Sequence, residues 1–70
     1  MILSARNVIE GTVTDIKLGQ VAAEVQVDIG SGKTITSTIT VNSTKRLDLE
    51  VGKTVSVIIK ASDVIVAVDD

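Results

Sequence analysis

The sequence predicts an all-β fold, a small five-stranded Greek-key barrel of the OB type with one short helical turn. Three observations lead there. Val (12), Ile (9) and Thr (8) supply 29 of the 70 residues, and their branched Cβ stiffens χ1 in a way that suits a pleated strand better than a helix. Apolar and polar residues alternate with period two over several short stretches. Glycine-bearing turns such as Gly30-Ser31-Gly32 and Val51-Gly52 separate those stretches.

The elements follow in order. An early strand runs from about Asn7 to Lys17, and Gly11 interrupts it, as a strand-interior glycine does at a bulge or where a small barrel turns a corner. Val21 to Ile29 is the clearest strand, with Val21, Ala23, Val25, Val27 and Ile29 on one face and Ala22, Glu24, Gln26 and Asp28 on the other. Gly30-Ser31-Gly32-Lys33 supplies residues tolerant of positive φ, so Thr34 to Val41 returns as a hairpin partner, with Ile35, Ile39 and Val41 opposite a Thr-rich face. Asn42 to Leu49 breaks the alternation and reads as a helical turn with Asn42 or Ser43 as its cap. After the Val51-Gly52-Lys53 turn come two last strands, Thr54 to Lys60 and Val64 to Val68, separated by Ala61-Ser62-Asp63.

A single domain spanning 1–70 is small enough that one hydrophobic core supplies only ~3–5 kcal/mol, so a staple is expected. Cysteine and histidine are absent, which removes disulfides, thiolate or imidazole metal sites and the general base that works near neutral pH. No metal-cation site and no catalytic cofactor is expected. Val57, Ile58 and Ile59 are consecutive and Val64 to Val68 is almost wholly aliphatic, so the last two strands are apolar on both faces and need another chain to cover one of them. A homo-oligomer is therefore the expected staple.

Other absences exclude function classes. With no Phe, Trp or Tyr there is no platform for stacking bases, and a net charge of −2 gives no global field toward nucleic acid or membrane. No apolar run reaches the roughly 18 residues of a membrane span and no signal-like segment opens the chain, so a cytoplasmic, non-membrane protein is expected. Gly30-Ser31-Gly32-Lys33-Thr34 echoes a phosphate-binding loop but lacks its spacing and lies between strands. No G-x-S-x-G, S-x-x-K or comparable nucleophile motif occurs, so the chain is not expected to be an enzyme.

Two segments carry donor chemistry. Ser4-Ala5-Arg6-Asn7 places a hydroxyl, a guanidinium and an amide together, and Lys60-Ala61-Ser62 adds an ammonium and a hydroxyl, with Thr40 as a third hydroxyl from a neighbouring strand. A tetrahedral oxyanion, whose oxygens only accept hydrogen bonds, needs such a set. Taken singly, Arg6 and Lys60 also read as surface charges, and Ser4 and Ser62 as turn residues.

Ser4-Ala5-Arg6-Asn7, Gly11-Thr12-Val13, Val21-Ala22-Ala23-Glu24-Val25, Ile39-Thr40, Arg46-Leu47 and Val57-Ile58-Ile59-Lys60-Ala61-Ser62-Asp63-Val64 together resemble the molybdate-binding Mop family, the molbindins, over nearly the whole chain. The resemblance implies an OB-like barrel assembled as a hexamer, a trimer of dimers, that stores molybdate or tungstate between subunits. It implies oxyanion contacts from Ser4, Arg6, Thr40, Lys60 and Ser62, and from the backbone of Ala61. A second class of site is implied near the three-fold axis, for which the turn at Gly19, Gln20, Val21 and Ala22 is the candidate, its N–H groups forming an anion-binding concavity. The competing expectations are an OB module that binds nucleic acid or protein without anion storage, and a purely structural oligomerisation domain.

Overall fold

The fold was examined as a computed structural model that describes residues 1–69. Four antiparallel strands form one sheet: β1 (Asn7–Leu18), β2 (Ala22–Gly30), β3 (Lys33–Thr40) and β4 (Thr54–Ile59), in the order β3-β2-β1-β4. A short helix, α1 (Val41–Arg46), follows β3, and a 3₁₀ turn (Ala61–Asp63) follows β4. The all-β class and the hairpin between β2 and β3 match expectation. Gly30, Ser31 and Gly32 all take positive φ (99°, 55° and 72°), and the Asp28 carboxylate accepts a 2.8 Å bond from the Gly30 N–H to close the turn.

The core is made by the alternating faces. Val13, Ala23, Val25 and Val27 are buried, and Ile16, Ile29, Ile39, Leu49, Val55 and Val57 pack partly against them. In β1 the inward positions are odd up to Val13 and then shift to Ile16. The cause is a bulge: Val13 pairs with Val27 but Asp15 pairs with Gln26, leaving Thr14 as the extra residue. One added residue reverses the parity of everything after it, which is how Val13 and Ile16, three apart, both face the core.

Of the two expectations for Gly11, a bulge or a turn of the barrel, the bulge falls at Thr14 instead, and close approach between strands explains the glycine. A Cβ built there would stand 2.6 Å from Val27 Cγ1 and 2.7 Å from the Asp28 carbonyl oxygen, so β1 lies directly against β2 where the sheet coils. Gly11→Ala should lower stability by about 2 kcal/mol, or roughly 8–16 °C in Tm for a domain of this size. An unchanged melting curve would show that the strands separate freely at this point.

Two further expectations differ. The cap of α1 is Thr40 rather than Asn42 or Ser43. Val64 to Val68 forms no strand within its own chain: the segment carries no regular structure, and Ile65, Val66 and Val68 are 93%, 85% and 86% exposed. The N-terminal Met1 and Ile2 are exposed as well. The radius of gyration is 13.2 Å, against about 11 Å for a closed domain of this length, as expected when both tails stand away from the sheet. The sheet curls without closing, and between its edges β3 and β4 lies an open cleft of about 220 Å³ lined by Ile39, Leu47, Leu49, Val55 and Val57 among others.

Candidate functional site

Sheet register gathers the first donor cluster. Asn7 pairs with Ile59 at the last rung between β1 and β4, and the Asn7 side-chain amide donates a 3.1 Å bond to the Ile59 carbonyl. The strands are thus tied at the point where Ser4-Ala5-Arg6 enters and Lys60-Ala61-Ser62 leaves, so the two segments lie side by side at one end of the sheet. Ser4, Arg6, Lys60, Ala61 and Ser62 are all exposed.

The 3₁₀ turn contributes backbone donors. Its internal bonds run from Asp63 N–H to Lys60 O (2.9 Å) and from Val64 N–H to Ala61 O (3.3 Å). The N–H groups of Ala61 and Ser62 begin the turn and so have no partner within it. They belong to the segment that leaves β4 next to the start of β1, where Lys60, Ser62 and Arg6 also lie in the chain. This end of the sheet presents hydrogen-bond donors of three kinds on short, rigidly started segments.

Thr40 is elsewhere. It pairs with Ala22, while Ala23 pairs with Leu18 at the far end of β1. The eleven residue steps of β1 from Asn7 to Leu18 correspond to roughly 35 Å of strand. One chain cannot bring Thr40 to the same small anion as Arg6 and Lys60. Strand register sets the segments that carry Ser4, Arg6, Lys60, Ala61 and Ser62 at one end of the sheet and Thr40 at the other.

At that other end Thr40 belongs to a second cluster. Its Oγ1 accepts a 3.0 Å bond from Ser43 N–H and donates a 2.8 Å bond to Ser43 Oγ. Thr40 therefore caps α1, and its hydroxyl and that of Ser43 share one hydrogen bond, which leaves hydrogen-bonding capacity on the pair. Sequence reading considered Ser43 only as a cap. The T-x-x-S spacing at a helix start was the available signal.

The Gly19–Ala22 turn adjoins the same cap. Val41 N–H donates to Val21 O at 2.7 Å, and Gly19 N–H donates to Ala22 O at 2.9 Å. The Gly19 amide is thus already engaged, leaving the Gln20 and Val21 N–H groups as the candidates for an anion-binding concavity there. Glycine is required at position 19, since a Cβ would sit 2.9 Å from the Ala22 carbonyl oxygen.

Such clusters of ammonium, guanidinium, hydroxyl and amide donors suit anions. Among the described residues no group of three or more His, Cys, Asp or Glu stands together to hold a metal ion, and no helix is long and apolar enough to cross a membrane.

The comparisons with known proteins agree with this chemistry. Residues 3–66 match the TOBE domain. The chain is 46% identical over 69 residues to a probable molybdenum-pterin-binding protein of Haemophilus influenzae, covering 99% of this chain and all of the relative. Its fold superposes on a molybdate-binding protein from Sporomusa ovata with a TM-score of 0.90 at 36% identity, over 96% of this chain and 98% of the other. It also superposes, with a TM-score of 0.89 at 45% identity, on the cytoplasmic molybdate-binding protein ModG with molybdate bound, covering 93% of this chain and 46% of that one. The chain belongs to the TOBE domain family, among the single-domain molybdenum-pterin-binding proteins known as molbindins.

Proposed function

We propose that the protein binds and stores molybdate or tungstate as intact oxyanions, at sites completed between copies of itself, and so contributes to molybdenum homeostasis in the cytoplasm. The observation that carries this reading is the division of the donors: Ser4, Arg6, Lys60, Ala61 and Ser62 at one end of the sheet, Thr40 and Ser43 at the other. A single chain offers half a shell at each end. Two chains packed end to end complete one, and the related ModG is a protein with molybdate bound.

The assembly has a physical route. Edge strands β3 and β4 both offer unpaired backbone groups, and the cleft between them is apolar. The exposed aliphatic segment 64–68 has the length and composition of the strand that would close such a barrel. In its own chain it stands clear, so the occupant is the segment of a second copy, and the exchange is reciprocal. A hexamer built as a trimer of such dimers also gives the Gly19–Ala22 turns a place to converge.

The ligand is the bare oxyanion rather than a pterin complex. The ammonium, guanidinium, hydroxyl and amide donors suit a compact oxyanion, and the sequence offers a pterin ring no aromatic side chain to stack on. Charge supplies the affinity: at ~4 Å and an effective dielectric of ~20, each of Arg6 and Lys60 attracts a unit charge by roughly 4 kcal/mol before desolvation, against the ~8 kcal/mol of micromolar binding. The protein acts as a binder, with no step of bond making.

Elemental analysis for Mo and W, read beside native mass, tests both halves of the reading. Expected are bound metal without pterin fluorescence and a mass of six chains. Millimolar molybdate should also raise Tm, because a ligand held only by the assembled state stabilises it by mass action, about 2.7 kcal/mol at a hundred-fold excess over Kd. A protein that takes up no molybdate and shows no thermal shift would refute the proposal.

A further inference from the structure

The donors of the Lys60–Ser62 segment share their turn with an acid. Asp63 closes the 3₁₀ turn, is exposed, and is tied to the segment through its own N–H, which donates to the Lys60 carbonyl at 2.9 Å. A 3₁₀ turn rises only about 2 Å per residue. The Asp63 carboxylate therefore lies within roughly 8 Å of any anion held by the Ala61 and Ser62 N–H groups. The turn's own bonds are backbone to backbone and the Asp63 carboxylate takes no part in them; its place in the first turn puts its charge near the turn's leading N–H groups, where an anion would also be drawn.

We infer that Asp63 sets the affinity of this anion site by electrostatic opposition, holding it below what Arg6, Lys60 and the neighbouring hydroxyl and amide donors would reach alone. The inference rests on the oxyanion reading above and deepens it by naming what limits retention. A store must release its content, and an acid fixed beside the site shortens the stay of a dianion without removing any donor. The magnitude follows from distance: one charge opposing a dianion at ~8 Å in near-aqueous surroundings corresponds to about four-fold in Kd at ~0.01 M salt, falling to about two-fold at 0.15 M.

The test is molybdate titration calorimetry on wild type, Asp63→Asn and Asp63→Glu at those two salt concentrations. Asp63→Asn should bind about four-fold more tightly than wild type at low salt and about two-fold at high salt, with Asp63→Glu close to wild type at both. A shrinking ratio with salt is a signature that a merely structural role would not produce. If wild type binds and Asp63→Asn binds equally or more weakly, or more tightly by a salt-independent factor, the role of Asp63 is overturned while the oxyanion reading stands. If wild type binds no molybdate, the oxyanion reading itself falls, and this inference with it.

Discussion

Arg6→Ala is expected to weaken molybdate binding by about 30- to 150-fold while leaving the fold and the assembly intact, and Lys60→Ala should act similarly. The range corresponds to ~2–3 kcal/mol, the usual worth of a hydrogen bond to a charged partner. It is smaller than the bare Coulomb attraction because each side chain gives up water to reach the anion. Both residues are exposed and lie outside the core of Val13, Val25 and Val27, so the melting temperature without ligand should change little. Calorimetric titration measures the affinity, and native mass confirms the oligomer. A variant that binds like wild type would remove that residue from the site. Arg6→Lys should recover only part of the loss, since an ammonium cannot offer the planar fork of a guanidinium.

Val66→Asp is expected to have the largest effect on assembly, converting the oligomer to monomer at micromolar concentration. Val66 is 85% exposed in the isolated chain, so in a monomer the substitution is nearly silent. Buried between β3 and β4 of another copy, the same valine contributes ~1.5–3 kcal/mol, and an unpaired carboxylate in its place costs several more. If the exchange is reciprocal, as proposed, each dimer bears the cost twice. Native mass spectrometry or light scattering reads the result directly, and an unchanged mass would show that segment 64–68 lies outside any interface. Molybdate uptake should disappear together with the oligomer.

The strands were legible because their signals are local. Alternation from Val21 to Ile29 needs only one buried face, and Gly30-Ser31-Gly32 announces its own turn. A glycine inside a strand has more than one physical explanation, which the sequence leaves open, and at Gly11 close approach to Val27 and Asp28 is the one the structure shows. The better clue was the spacing of Val13 and Ile16, which fits period two only if a residue is inserted. From sequence Thr40 is expected to offer an anion its hydroxyl from a neighbouring strand. Its capping of α1 depends on where the helix begins, and propensity alone does not fix that to a single residue.

The candidate site was legible as chemistry and illegible as geometry. Donor types can be read from Ser4, Arg6, Lys60 and Ser62, and the pairing of Asn7 with Ile59 explains why they meet. The separation of Thr40 from them could be foreseen only with the strand order β3-β2-β1-β4, which is a long-range property. The aliphatic run from Val64 to Val68 pointed to a partner chain. Its composition did not show that the run would form no strand within its own chain and stand exposed.

Under the proposed function, the distance along β1 between Arg6 and Thr40 would make capacity a collective property. If neither end of the chain completes a shell by itself, the number of oxyanions held is not proportional to the number of chains synthesised. Below the concentration at which copies assemble, almost nothing is held; above it, capacity rises steeply with each added chain. Dilution alone should then discharge the protein at constant free molybdate, so a cell that regulates expression of such a chain regulates a threshold rather than a slope.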